Sequence, residues 1–171
     1  MTRPRTFARE IAFQVLYRDD LNPQAAAEPR DALLDQGRQA RELLALVQQW
    51  SEAEGAAEPG AADDARLRGQ WLRDPALVEF TRWLVAGVRE HREALDGRIA
   101  AAATHWSVDR MAVTDRNLLR LGAFELLYTE VPPKVAVDEA VELAKRFGGT
   151  QSAQFVNGIL DNLLHQRGIG E

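Results

Sequence analysis

VPPKVAVDEAVELAKRFGGTQSAQFVNGILD, residues 131–161, carries the punctuation of two consecutive helices. Pro132 and Pro133 cannot sit inside a helix arriving from upstream, because proline lacks the amide hydrogen and clashes with the preceding turn. A helix of about Val135 to Phe147 follows, with Val137, Ala140, Val141 and Ala144 recurring along one face. Gly148-Gly149 then supplies a C-terminal glycine signature. Ser152 is placed to cap a last helix whose buried stripe is Val156, Ile159, Leu160, Leu163 and Leu164. Phe155 lies about 100° from Val156 at the margin of that stripe, so it is expected on a surface or interface. Phe147, directly before the glycines, either staples the helix end to the core or faces outward.

Working outward, the same helical period continues and strand-like alternation is missing. A helix from about Thr114 to Tyr128 precedes the prolines. Asp74 and Pro75 form an N-cap and first helical residue for a segment with a seam of Leu77, Phe80, Leu84, Val88, Leu95 and Ile99, read as one long helix reaching toward His105. The first helix is expected from about Arg5 to Asp20, with Phe7, Ile11 and Val15 beside Ala8, Ala12 and Leu16 as its core stripe. Arg5, Arg9, Phe13 and Tyr17 make a second row, largely opposite. Two guanidiniums in line with two aromatics can meet phosphates and stack on unpaired bases. Alternatively, Phe13 and Tyr17 are core, as in a helix covered on two sides. Arg30 to Trp50 can form a further helix, and SEAEGAAEPGAADDA, Ser51–Ala65, has no large apolar residue and reads as a flexible acidic linker. The chain is therefore expected to be a single all-α domain over residues 1–171, with a variable acidic insertion at about 21–74 and a flexible linker at about 51–66.

Composition narrows the function. The hydrophobic fraction of 46% fits a folded globular chain. No apolar run approaches the roughly 20 residues of a membrane span. No greasy signal-peptide core follows the basic N-terminus, so a cytoplasmic protein without membrane partners is expected. Net charge is −5, yet residues 1–18 carry +3 while residues 19–75 carry −6 and residues 76–171 carry −2. Such asymmetry makes a local electrostatic footprint. Only Lys134 and Lys145 are lysines; the other basic residues are arginines, which suit phosphate. The chain has no cysteine, and His91, His105 and His165 share no ligand spacing, so neither a disulfide framework nor a zinc site is expected. Gly148-Gly149 follows a helix and is no phosphate loop. Asp138 and Glu139 point about 100° apart on their helix, which reads as solvated face and not as an acid/base pair. No catalytic residue, metal or cofactor is expected.

Three stretches together resemble the NusB family of transcription antitermination factors: Ala8-Arg9-Glu10 with Gln14-Val15-Leu16-Tyr17, Asp115 through Leu127, and most specifically Val131 through Asp161. The likeness spans about residues 3–20 and 75–165. It implies an all-α fold of two packed helical bundles. It further implies binding of the boxA element of nascent RNA, as a heterodimer with the ribosomal protein NusE, within the transcription elongation complex on ribosomal RNA operons. The +3 segment makes Arg3, Arg5 and Arg9 the expected phosphate contacts, and their places on the helices make Tyr17, Phe155 and Phe147 the expected RNA-facing aromatics. Asp115, Arg116, Arg120, Glu125, Glu139 and Glu142, charged positions beside apolar seams, are the expected partner-facing ones. The sequence departs from the family pattern at Pro4 and Thr6, which interrupt the basic cluster, at Phe124 and Asp138, and at Thr150-Gln151.

Two other readings use the same bundle. One is an RNA-binding accessory domain of the ribosomal RNA cytosine methyltransferase type, which needs a Rossmann-type methyl-donor domain and a catalytic cysteine that these 171 residues do not contain. The other is a helical protein-interaction module that never meets RNA, favoured if the first-helix arginines are engaged in intramolecular ion pairs.

Overall fold

The computed structural model describes residues 3–23, 61–166 and 168, and among these every regular element is helical. The elements are α1 (Pro4–Leu21), α2 (Ala61–Trp71), α3 (Pro75–Glu90), α4 (Arg92–Ala102), a 3-10 turn (Val108–Arg110), α5 (Val113–Tyr128), α6 (Pro133–Phe147) and α7 (Ser152–Gln166). The expected helix at Arg30–Trp50 and the linker residues 51–60 lie outside the described residues.

Local chemistry sets most boundaries. Asp74 Oδ1 accepts a 2.9 Å bond from the Ala76 amide, with Pro75 as first helical residue of α3. Pro4 and Pro133 play the same opening part in α1 and α6. Gly148 ends α6 in an extended conformation, φ −92°, not a left-handed one. Its missing side chain is needed for close approach: a Cβ there would lie 2.3 Å from Ser152 Cβ. Ser152 does not cap its helix as expected. It is the first helical residue, and its hydroxyl accepts from the Gly149 amide at 2.9 Å, tying the α6–α7 loop shut.

Two further expectations need correction. The long seam helix is broken at His91, where the backbone amide and the ring Nδ1 both donate to Gly87 O, at 3.1 and 2.9 Å. A side chain competing for a helical carbonyl loosens the ladder at that turn. The seam itself is intact, with Leu77, Leu84, Val88, Leu95 and Ile99 all buried. The flexible linker also ends sooner than read: residues 61–66 are the start of α2. That alanine-rich start is a good helix former, and its anchors come later, where Trp71 packs on Phe7 at 5.7 Å and Leu72 is buried.

The helices group as two bundles sharing α1. Phe7, Ala8 and Ile11 pack with Leu72 and Leu77. Ala12, Phe13 and Leu16, one turn on, join the larger core of α3 to α7, among them Leu84, Leu95, Ile99, Leu118, Leu119, Leu160 and Leu163. Because α1 lies between the bundles, it is covered on more than one side.

Candidate nucleic-acid interface

That position divides the second row of α1. Arg9 is 4% exposed and its guanidinium clasps Glu125, 1% exposed, with Nε 3.0 Å from both carboxylate oxygens and Nη2 2.7 Å from Oε1. Glu139 lies 4.0 Å from Arg9 and accepts from the Thr6 hydroxyl at 3.0 Å. Burial pushes the Glu125 carboxyl above the usual range; the bond and charge of Arg9 only partly oppose this, and Glu139 adds to it. A charge so enclosed cannot reach phosphate, and Glu125 cannot reach a partner. The expected surface roles of Arg9 and Glu125 are therefore corrected: they are the ionic bolt between α1 and α5.

The C-terminal end of α1 is clamped in the same way. Arg120 is buried and gives Asp96 a bidentate contact, 2.7 and 2.8 Å, while its Nη1 reaches Asp20 at 3.3 Å. Arg116 also donates to Asp20, and Asn117 Nδ2 donates to the same oxygen at 2.8 Å. Asp19 pairs with Arg89 at 2.7 Å. Burial alone would raise the Asp20 pKa, but the bonds from Arg116 and Asn117 and the charges of Arg116 and Arg120 outweigh it and hold the carboxyl low. Arg120 thus leaves the expected partner surface too, and Arg116 spends its guanidinium inward. Glu139 and Asp115 are half-buried, and Glu142 is exposed beside Lys145 at 2.6 Å.

Other expected residues do stay on the surface. Arg3 and Arg5 are exposed, and the Arg5 guanidinium lies 5.3 Å above the Phe80 ring. Phe13 is core, flanked by half-buried Tyr17 at 6.1 Å and half-buried Phe147 at 5.4 Å. Arg146 stacks over Phe147 at 4.9 Å while its Nη1 donates to Glu10 at 2.6 Å. Tyr17 and Phe147 therefore share Phe13 as a ring neighbour, and Phe155, also half-buried, has Trp106 as its ring neighbour at 6.3 Å.

A second aromatic surface was not anticipated. Trp83 meets Phe124 edge-on at 5.5 Å, Phe124 stacks on Tyr128 at 5.9 Å, and His91 lies 4.0 Å from Tyr128. Trp83 and Tyr128 are each 43% exposed over buried Phe124. Gly87 makes the strip possible, because a Cβ there would fall 2.0 Å from Phe124 Cζ. The signal was present: Trp83 immediately precedes the seam residue Leu84, about 100° off the buried stripe.

The described residues thus form an all-α double bundle whose surface carries Arg3 and Arg5 and the rings of Trp83, Trp106 and Tyr128. The NusB family model matches residues 38–165, and the chain belongs to that family of non-enzymatic transcription antitermination factors. The chain is 39% identical over 163 residues to the transcription antitermination protein NusB of Anaeromyxobacter dehalogenans strain 2CP-1, covering 95% of this chain and 92% of that protein. Its fold is similar to T. maritima NusB, with TM-score 0.65 and 28% identity over 97% of this chain and 94% of that one. It is also similar to a chain in a crystal structure of antitermination factors NusB and NusE in complex with dsRNA, with TM-score 0.63 and 28% identity over 97% and 99% of the two chains. Among the described residues, no helix is long and apolar enough to cross a membrane, and no group of His, Asp and Glu is placed to hold a metal ion.

Proposed function

We propose that the chain binds boxA-type single-stranded RNA jointly with the ribosomal protein NusE, and in the elongation complex supports transcription of ribosomal RNA operons. The observation that carries this reading is that the surface holds both kinds of group RNA needs: two exposed arginines, Arg3 and Arg5, at the start of α1, and half-buried aromatic rings at Tyr17, Phe147 and Phe155. Phosphates meet the first set, and unpaired bases stack on the second. The similar NusB chain crystallised with NusE and dsRNA supports NusE and RNA as the two kinds of partner. For the protein partner we assign the Trp83–Phe124–Tyr128–His91 strip, and Asp115, Glu139 and Glu142, on α5 and α6, as further partner-facing charges. Rigid, partly exposed aromatics over a packed base are the usual makings of an interface hot spot. The exposed neighbours in sequence, Glu79, Glu90 and Glu130, favour a basic partner.

The purely protein-binding alternative required the first-helix arginines to be tied up. Arg9 is, whereas Arg3 and Arg5 have no ion-pair partner among the described residues. Titrating labelled boxA-like RNA with this protein, with NusE and with the mixture tests the reading. The mixture is expected to bind more tightly than either component, since a second protein adds its own contacts at high effective concentration. A mixture no tighter than its better component overturns the joint-adaptor function.

A further inference from the structure

We propose that Trp106 is a base-stacking residue that extends the RNA face beyond Phe155 onto the loop between α4 and the 3-10 turn. The inference rests on the RNA-binding reading above and assigns a contact to a residue that periodicity could not single out, because it lies in no helix.

Trp106 is 58% exposed and its ring meets Phe155 edge-to-face at 81°. The loop that carries it is held at both ends. Ala103 and Val108 are buried, the Trp106 amide donates to Ala103 O at 3.3 Å, and the Arg110 amide donates to Ser107 O at 3.0 Å. From α7, Asn162 Nδ2 donates to Ala102 O at 3.3 Å, joining the loop to the helix that bears Phe155. The backbone beneath the indole is thus held, and one edge of the ring rests against Phe155 while the rest stays open to solvent. Unpaired bases stack on such rings whatever their sequence, because every base has a π-face.

Charge distinguishes this tryptophan from the other exposed one. Trp83 sits in a strip whose sequence neighbours are of mixed charge, Glu79, Glu90 and Glu130 with Arg82, Arg89 and Arg92, and Arg82 pairs with Glu79 at 3.5 Å. Around Trp106, His105 and Arg110 are exposed, and Arg110 has no ion-pair partner among the described residues. The loop's one acid, Asp109, acts on Arg116, which also donates to the Asp109 carbonyl at 3.5 Å. A polyanion therefore meets the Arg110 guanidinium and an open ring at Trp106, which is in ring contact with Phe155. Single-stranded RNA fits this surface, where an open ring and an arginine without an ion-pair partner among the described residues lie on one short loop.

The test is anisotropy titration of a labelled boxA-like RNA against the full chain with NusE, for wild type, Trp106→Phe and Trp106→Leu. Leucine keeps the apolar character without the π-face. It should weaken binding roughly 5- to 150-fold, whereas phenylalanine should retain most of the affinity. The salt slope should stay unchanged in both variants, since no phosphate contact is removed. Wild-type affinity in Trp106→Leu overturns the assignment. So does a leucine variant that also loses NusE, which would make the loop structural. Absence of RNA binding by the wild type with NusE would instead overturn the adaptor function itself.

Discussion

The outer end of α1 and its middle use the same residue for opposite purposes. Arg3 and Arg5 stand in solvent, while Arg9, one turn further, is enclosed with Glu125. Residues spaced by four share a helix face, but spacing does not say whether another helix covers that face. What separates the two regions is a carboxylate opposite: α5 brings Glu125 to Arg9, and nothing described brings one to Arg3 or Arg5. The largest expected effect follows. Arg9→Ala strands a buried carboxylate and should cost about 3–5 kcal/mol of stability, read from urea unfolding. Arg3→Ala should leave the unfolding midpoint in place. Equal, mild effects at both positions would break the comparison.

The same contrast explains what could be read in the sequence. Caps and breakers act locally, so Asp74-Pro75, Pro132-Pro133 and Gly148-Gly149 located helix ends without any knowledge of packing. The apolar stripes of α3, α6 and α7 are likewise legible, because burial there follows the helical period, whereas α5 is buried without interruption from Asn117 to Leu126 and shows no stripe. Three features depend on contacts distant in sequence and were not. Burial of Arg9 needs Glu125 more than a hundred residues away, order in residues 61–66 needs Trp71 against Phe7, and the break at His91 needs its ring to reach back to Gly87. The candidate site divided in the same manner. Exposure of Arg3, Arg5 and Glu142 agrees with their polarity, whereas charge alone points Arg120 and Glu125 to the surface, since charged side chains are rarely enclosed unless paired, and both are buried.

The two carboxylates that bolt α1 should respond to pH in opposite senses. Asp20 has a folded pKa below the usual 3.8. Its contribution is present above 3.8 and is lost as pH falls through the lower folded value. Glu125 has a folded pKa above the usual 4.5, so the folded state holds its proton longer than the unfolded chain does. Its contribution is present at or below pH 4.5 and declines as pH rises through the folded value. Urea unfolding midpoints across the acid range should therefore lose part of their acid-side decline in Asp20→Asn. In Glu125→Gln, the decline on the neutral side of 4.5 should be reduced. If both substitutions shift the curve in the same direction, the two ends of α1 are not held by the distinct balances inferred here, in which pairing wins at Asp20 and burial wins at Glu125.

The smallest effect on folding, and the one that most sharpens the comparison, belongs to Arg3 and Arg5. Neither holds the fold through an ion pair, so single alanine substitutions should barely move the unfolding midpoint. Arg5→Ala should move it slightly more, because the guanidinium rests over Phe80. Their weight should appear only when RNA is present. If each meets one phosphate, each substitution should lower the slope of log affinity against log salt by about 0.7 for a single-stranded ligand. The double substitution should lower it by about twice that, since exposed side chains without shared partners act independently. Arg9→Ala supplies the counterpart: in protein that remains folded, it should leave the salt slope as it was. A slope that falls for Arg9→Ala and stays constant for Arg3→Ala and Arg5→Ala would place the phosphate on the enclosed arginine. It would also mean that the α1–α5 bolt opens when RNA binds.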